Sequence, residues 1–264
     1  STECPTCQEN KVHYAGFGTQ RAEEQLRELL PEVRVLRLDT DAAMTRFAYE
    51  EKLQSFARGE YDVIVGTQMV AKGLDFENVT LVGVLSADQA LYGDDFRSYE
   101  RAFDLLTQVA GRAGRGQYEG EAIIQTFTPE NTVLSLAARQ DYPAFYEGEI
   151  AVRKGMLYPP FADLCVVGFV GAREEKVARA SEAFLQMLRT LAQAEYPQEP
   201  MRVLNPSPAL ISKVSNKYRY KLIVKCRNSR NFRRMISRLL TDFAKNRTFS
   251  DVTAFADINP DMIL

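Results

Sequence analysis

Two short segments of this sequence hold residue types that handle phosphate. In Gln108-Val-Ala-Gly111-Arg112-Ala-Gly114-Arg115, two arginines stand three apart at the end of a helical stretch, with small residues where backbone must approach something closely. On a helical turn that spacing points both guanidiniums the same way, so they can fork onto phosphate oxygens. Gln108 beside them can bond a γ-phosphate or an attacking water. In phosphoryl transfer an arginine so placed stabilises charge on the transferred group, and losing it costs about 10³-fold or more. The alternative is a Gly-rich surface turn that carries arginines.

The second segment, Val65-Gly66-Thr67-Gln68-Met69-Val70-Ala71-Lys72-Gly73-Leu74-Asp75-Phe76, follows an apolar run. Gly66 and Thr67 offer backbone amides and a hydroxyl to a phosphate, and Gly73 permits a turn that presents Asp75. A plain strand-to-helix loop is the alternative. The two segments stand on adjacent strand–helix units, so their loops are expected at the same edge of one sheet, and together they favour phosphate chemistry. No Gly-x-x-x-x-Gly-Lys-Ser/Thr and no Asp-Glu-x-His occurs in the chain. By itself it is therefore expected neither to hydrolyse ATP nor to bind it tightly.

Cys4 and Cys7, in Cys-Pro-Thr-Cys, have the knuckle spacing of a zinc ribbon. A structural zinc site needs four ligands and this pair supplies two. His13 reads as an ordinary packed or exposed histidine, so the pair is expected to be half of a site completed upstream. Together with the absent initiator Met, it leads us to expect a piece of a longer sequence. Cys165 and Cys226 sit in apolar, strand-like runs, where a free thiol behaves as a small hydrophobe.

To position the phosphate-type segments the chain needs a parallel sheet. Apolar runs at 12–15, 33–38, 63–65, 79–85 and 122–124 alternate with helical stretches. Thr19 caps the first of these, with Ala22, Leu26, Leu29 and Leu30 on one face and Pro31 as its stop. Phe47, Leu53 and Phe56 mark a second, closed by Gly59, and a third covers 95–110. Continuous β-branched runs predict strands buried on both faces, and the βαβα order predicts a parallel sheet covered by helices.

Residues 139–161 read as a connector: a polar helix with Tyr142, Phe145 and Tyr146, then an elbow at Tyr158-Pro159-Pro160-Phe161. The last hundred residues change rhythm. A strand at 164–170 precedes a helix face of Val177, Ser181, Phe184, Leu185, Leu188, Leu191 and Ala192. Apolar runs at 202–204 and 209–214 lead to a turn at Ser215-Asn216-Lys217 and a strand at 218–226. A helix carrying Phe232, Ile236, Leu239, Leu240 and Phe243 and a strand at 252–258 close the chain. That order, βαββαβ, is the split βαβ, ferredoxin-like plan. The predicted division is a zinc-insertion remnant at 1–10, an α/β lobe at 11–138, the connector at 139–161, and a smaller α+β domain at 162–264.

The net charge of −2 conceals an asymmetry: residues 213–247 hold twelve basic residues and one acid, Asp242, or +11, against −13 for the remainder. So one-sided a stretch suits a polyanion or an acidic partner better than a solvated face of mixed signs. No run approaches the roughly 18 apolar residues of a membrane span. Nor does the N-terminus have a signal-peptide pattern, so a cytoplasmic protein is expected.

Gly-Arg-Ala-Gly-Arg after Gln-Val-Ala matches motif VI of superfamily 2 helicases, and Gly-Thr-Gln-Met-x-x-Lys-Gly-x-Asp-Phe looks like motif V. With these stand Asp95-Phe96-Arg97-Ser98-x-Glu100-Arg101, the Tyr-Pro-Pro-Phe elbow, the cysteine knuckle and Tyr218-Arg219-Tyr220-Lys221. Over essentially its whole length the chain resembles the primosomal replication-restart helicases. It departs from them at Ser86, where relatives often show an acid, and Ser86 is given no role. The resemblance implies the second RecA-like lobe of a P-loop NTPase motor. Such a motor is an ATP hydrolase, with Mg2+, that unwinds DNA 3′ to 5′ at stalled or repaired forks and assembles the primosome. By motif, Arg112 and Arg115 face the γ-phosphate with Gln108, and Gly66, Gly73 and Asp75 line the ATP switch. Thr67, with Gly18-Thr19 and the Asp39-Thr40-Asp41 loop, faces the DNA backbone.

For the C-terminal domain the resemblance implies branched or single-stranded DNA, the acidic tail of single-stranded-DNA-binding protein, and primosome loader proteins as partners. It implies zinc at the cysteine knuckle of the full-length protein, and a monomer in the bacterial cytoplasm, associated with the nucleoid. Arg230, Arg233, Arg234 and Arg238 lie opposite the apolar face of the last long helix and suit a carboxylate-rich peptide or phosphates equally. Tyr218 and Tyr220 are expected to pack rather than stack on bases. Two competing readings are a non-catalytic adaptor and another superfamily 2 DNA translocase. The intact arginine and switch segments argue against the first, the Thr-Gln-Met wording and the cysteine knuckle against the second.

Overall fold

A computed structural model describes residues 18–38, 45–67, 78–111 and 120–263. The chain divides into two compact units, one made of the residues up to Tyr92 together with Tyr99–Tyr142, the other of Gly93–Ser98 and Pro143–Leu264. The strand expected at 12–15 lies outside the described residues.

In the first unit, helix α1 (Thr19–Leu29) starts at Thr19, and the extended Gly18 is its N-cap. Thr19 is therefore the first helical residue and not the expected cap. Ala22 is buried, but Leu29 and Leu30 are exposed, because Leu30 already leaves helical geometry ahead of Pro31. Strand β1 (Val35–Leu38) pairs in parallel with β2 (Val63–Gly66). Helix α2 (Arg46–Ala57) crosses between them, with the Thr45 hydroxyl accepting from the Ala48 N–H at its start. Gly59, at φ 75, closes the turn after it, where a β-carbon would be strained. Phe47, expected on the apolar face of α2, is exposed.

Strands β3 (Leu81–Val84) and β4 (Glu121–Ile124) form a second parallel pair. Their connection holds α3 (Asp88–Leu91) and α4 (Ser98–Ala110). Ala102, Phe103, Leu106 and Val109, spaced by a helical turn, bury one side of α4. Both strands alternate between half-buried and exposed, with Leu81 and Ile123 exposed, so one face of this pair is open. Two-sided burial, predicted from the apolar runs, does not hold here. Helix α5 (Thr132–Ala138), capped by the Asn131 carboxamide, follows β4.

The second unit is built on an antiparallel sheet. Helix α6 (Tyr142–Met156) leads into it, ending ahead of the two prolines with Leu157 at positive φ. Strands β5 (Asp163–Gly171), β6 (Met201–Val203), β7 (Ser207–Val214), β8 (Lys217–Cys226) and β9 (Thr253–Ile258) are ordered β6-β8-β5-β9, with β7 also on β8. Helices α7 (Glu174–Glu195) and α8 (Arg230–Ala244) pack on one face. The order is thus βαβββαβ, one strand more than expected. Residues 201–214 run along β8 as two pieces broken at Asn205-Pro206, where proline has no N–H to give the ladder. Ser215 and Asn216, both at positive φ, make the two-residue hairpin turn between β7 and β8.

Core residues on the helix-covered face include Cys165, Val167 and Phe169 of β5, Leu222 and Val224 of β8, and the apolar stripes of both helices. Phe169, Phe184 and Phe243 meet edge to face, and Phe243 stacks on Phe249. Tyr218 and Tyr220 pack against this cluster, as expected. Cys165 and Cys226 are free, buried thiols, and burial pushes both up to about 12.

Candidate functional site

Gly66 and Thr67 stand at the carboxyl end of β2, where the loops of parallel strands receive ligands. Gly18 and Thr19 open α1, whose first turn carries no acid to repel a phosphate. Gln108 is exposed in the last turn of α4, on the side away from the buried Ala102–Phe103–Leu106–Val109 stripe. That helix ends at Gly111, whose N–H donates to the Thr107 carbonyl; a β-carbon there would lie 3.3 Å from the same oxygen. Close approach of this kind explains a glycine at the start of the arginine segment.

Gly73, Asp75, Arg112, Arg115, Thr40, Cys4 and Cys7 lie outside the described residues. Among the described residues no group of three or more His, Cys, Asp or Glu is placed to hold a metal ion. Among the described residues β1–β2 and β3–β4 form separate two-stranded sheets, and residues 68–76 and 112–115 of the two phosphate-type segments lie outside those described.

Asp88 is a structural carboxylate near these strand ends that sequence reasoning did not single out. Its carboxylate accepts from the Phe127 N–H and from the hydroxyls of Thr126 and Thr128, tying the carboxyl end of β3 to that of β4. Burial on its own would raise the Asp88 pKa, but the Phe127 N–H and the threonine hydroxyls outweigh it and hold it below the usual range. Ser86, two residues earlier, takes φ 59, an uncommon conformation for a non-glycine residue. An aspartate just after a strand is too common for the sequence to have singled it out.

The basic helix face forms as expected: Arg230, Arg233, Arg234 and Arg238 are all exposed on α8, opposite buried Phe232, Met235, Ile236 and Leu239. They are not equivalent. Arg238 pairs with Glu195 at 2.5 Å and approaches Asp242 at 3.6 Å. Arg233 donates to both the carbonyl and the side chain of Asn228. Only Arg230 and Arg234 of the four make no ion pair or hydrogen bond of their side chains among the described residues.

Residues 7–117 match the family described as Helicase conserved C-terminal domain, and residues 154–261 match the Primosomal protein N C-terminal domain. The second half of the chain thus carries the primosomal protein N C-terminal domain, and the first the helicase one. The chain is similar to "Replication restart protein PriA" of Bacillus subtilis, 39% identical over 261 residues that take in 99% of this chain and 32% of that protein. The protein of the same name in Chlamydia muridarum is 37% identical over 261 residues, 98% of this chain and 34% of that one. For Treponema pallidum the figures are 34% over 263 residues, 99% and 38%. The chain thus spans about a third of the length of these relatives. No helix among the described residues is long and apolar enough to cross a membrane.

Proposed function

We propose that this chain is the C-terminal part of an ATP-dependent DNA helicase that unwinds 3′ to 5′ and assembles the primosome at stalled or repaired forks. Residues 11–138 supply the second RecA-like lobe of its P-loop NTPase motor, and 162–264 a domain for DNA or a partner. One observation carries this reading: the match to the helicase C-terminal domain, 7–117, contains both phosphate-type segments and ends just past Arg115. Exposed Gln108 and the Gly66-Thr67 turn fit a triphosphate, with a carboxamide, a hydroxyl and backbone amides to offer it. Arg112 and Arg115 supply the positive charge, and Gly73 and Asp75 complete the switch. ATP with Mg2+ brings the transferable phosphoryl group; the phosphate-binding loop for it is not among these 264 residues.

Thr67, the Gly18-Thr19 turn and Thr40 face the DNA backbone, and the α8 arginines meet DNA or the acidic tail of single-stranded-DNA-binding protein. Loader proteins are further partners. Cys4 and Cys7 contribute two ligands to a zinc site, and the protein works as a monomer in the cytoplasm. The test is ATP turnover. In the full-length protein Arg112→Ala should cost about 10³-fold in kcat, while the 264-residue chain alone turns over nothing. Turnover by this chain alone, abolished by Arg112→Ala, would overturn the reading.

A further inference from the structure

From Pro200 to Thr241 the chain holds eleven basic residues and no acidic one. The large apolar side chains exposed in that stretch are Leu210 at 68%, Ile211 at 62% and Val214 at 44%. All belong to β7, and Leu210 and Ile211 stand where its pairing with β8 is broken. Pro208 lies across from Tyr220 and Lys213 from Tyr218, so the four residues Ala209–Ser212 face the single Arg219. A β-bulge ordinarily sets two residues against one; four against one push the chain out from the ladder. Ala209 is buried there, while Leu210, Ile211 and Ser212 are exposed.

This protrusion is held at both ends. Pro208, with no N–H for the ladder, stands at its start. Past its end the Lys213 ammonium donates to the Tyr218 hydroxyl at 3.3 Å and lies 4.7 Å from the centroid of that ring. Tyr218 and Tyr220 in turn pack against the core of the unit. The hairpin then closes within two residues, Ser215 and Asn216, both at positive φ. An apolar tip on a base so fixed loses little freedom when it docks.

Such a tip, in a stretch of bases without an acid, suits a partner with an anionic surface and an apolar slot. A bilayer gains too little from two short side chains, since a whole acyl chain anchors only marginally. An acidic peptide lays its own apolar residues into a groove, whereas here the apolar residues project. Stacked bases between two rows of phosphates offer both features, and leucine and isoleucine are among the side chains that wedge between base steps. We propose that Leu210 and Ile211 enter a base step of duplex DNA, with Arg219 and Lys217 toward the flanking phosphates. The proposal rests on the reading of 162–264 as a domain for DNA and deepens it. Phosphate contacts from the α8 arginines are indifferent to stacking; a wedge selects the steps that open most easily.

Unstacking costs least at a mismatched base. The 264-residue chain should therefore bind a duplex with one central mismatch more tightly than the fully paired duplex, and 2-aminopurine beside the mismatch should brighten. Each methylene buried between bases is worth roughly fourfold. Leu210→Ala with Ile211→Ala should thus cut affinity for the mismatched duplex about tenfold or more, affect the paired duplex less, and abolish the brightening. Because no charge is lost and both residues are exposed, the salt slope and the melting temperature should stay as they are. Methionine at both positions should keep the preference and the brightening. A double alanine variant that keeps both overturns the proposal. So does one that loses binding to phosphatidylserine vesicles, or to an acidic peptide ending in an aromatic residue, while its DNA binding is unchanged. If the wild type binds neither duplex, the DNA reading of this domain fails; if it binds both equally without brightening, only the wedge fails.

Discussion

Replacing Arg230 and Arg234 together with alanine is expected to weaken the binding of duplex DNA and flatten its salt dependence without unfolding the chain. The magnitude follows from how the four arginines of α8 are engaged. Arg238 is already half-neutralised by Glu195 and Asp242, and Arg233 is drawn back onto Asn228. If Arg230 and Arg234 each neutralise one phosphate, the slope of log K against log salt loses about 1.8 on duplex and about 1.4 on a single strand. The ratio of wild-type to variant affinity should then shrink about twelvefold between 50 and 200 mM salt on duplex. Fluorescence anisotropy with a labelled forked oligonucleotide, titrated at four or five salt concentrations, reads both quantities. Arg238→Ala is the internal control: its surface ion pair is worth about 0–1 kcal/mol, and its salt slope should change less than that of either free arginine. Parallel wild-type and double-variant plots would refute the assignment. Parallel plots together with lost binding of an acidic peptide would move this face from DNA to a carboxylate-rich partner.

Phe243→Ala removes a ring that lies 5.6 to 6.1 Å from those of Phe184, Phe249 and Phe169, and should cost the second unit about 3–5 kcal/mol in urea unfolding. A loss below about 1 kcal/mol would show that the aromatic cluster is not its centre. Cys165 and Cys226 should resist alkylation at mildly alkaline pH until denaturant is added, as peptide mapping would show. With both thiols pushed up from 9.0 to about 12, the unfolded chain loses protons in that interval that the folded chain keeps. Stability should therefore fall as pH rises through it, and fall less steeply in Cys165→Ala; equal slopes would contradict the burial.

The same physics explains which features the sequence disclosed. Val177, Ser181, Phe184, Leu185 and Leu188 were legible because a helix lying on a sheet buries one stripe, and every member of that stripe is an unmistakable residue type or sits at its period. Apolar runs were less telling. The run at 79–85 predicts a strand correctly, but Leu81 and Ile123 face an open side, since apolarity says what a face tolerates when covered and not whether this chain supplies the cover. Charge misled in the opposite direction. Lys221 and Lys225 belong to the twelve basic residues of 213–247, yet both are buried, one on a carboxylate 127 residues earlier in the chain and one on a backbone carbonyl beside an aromatic ring. Only pairing across such a separation lets a strand turn a lysine inward, and no local window contains both partners. The basic surface is correspondingly narrower than the sequence implied. What remains exposed of that stretch includes Arg227, Arg230, Arg234 and Arg247 and the hairpin lysines Lys213 and Lys217, and alanine at Lys221 or Lys225 should leave the salt slope of DNA binding unchanged while lowering stability.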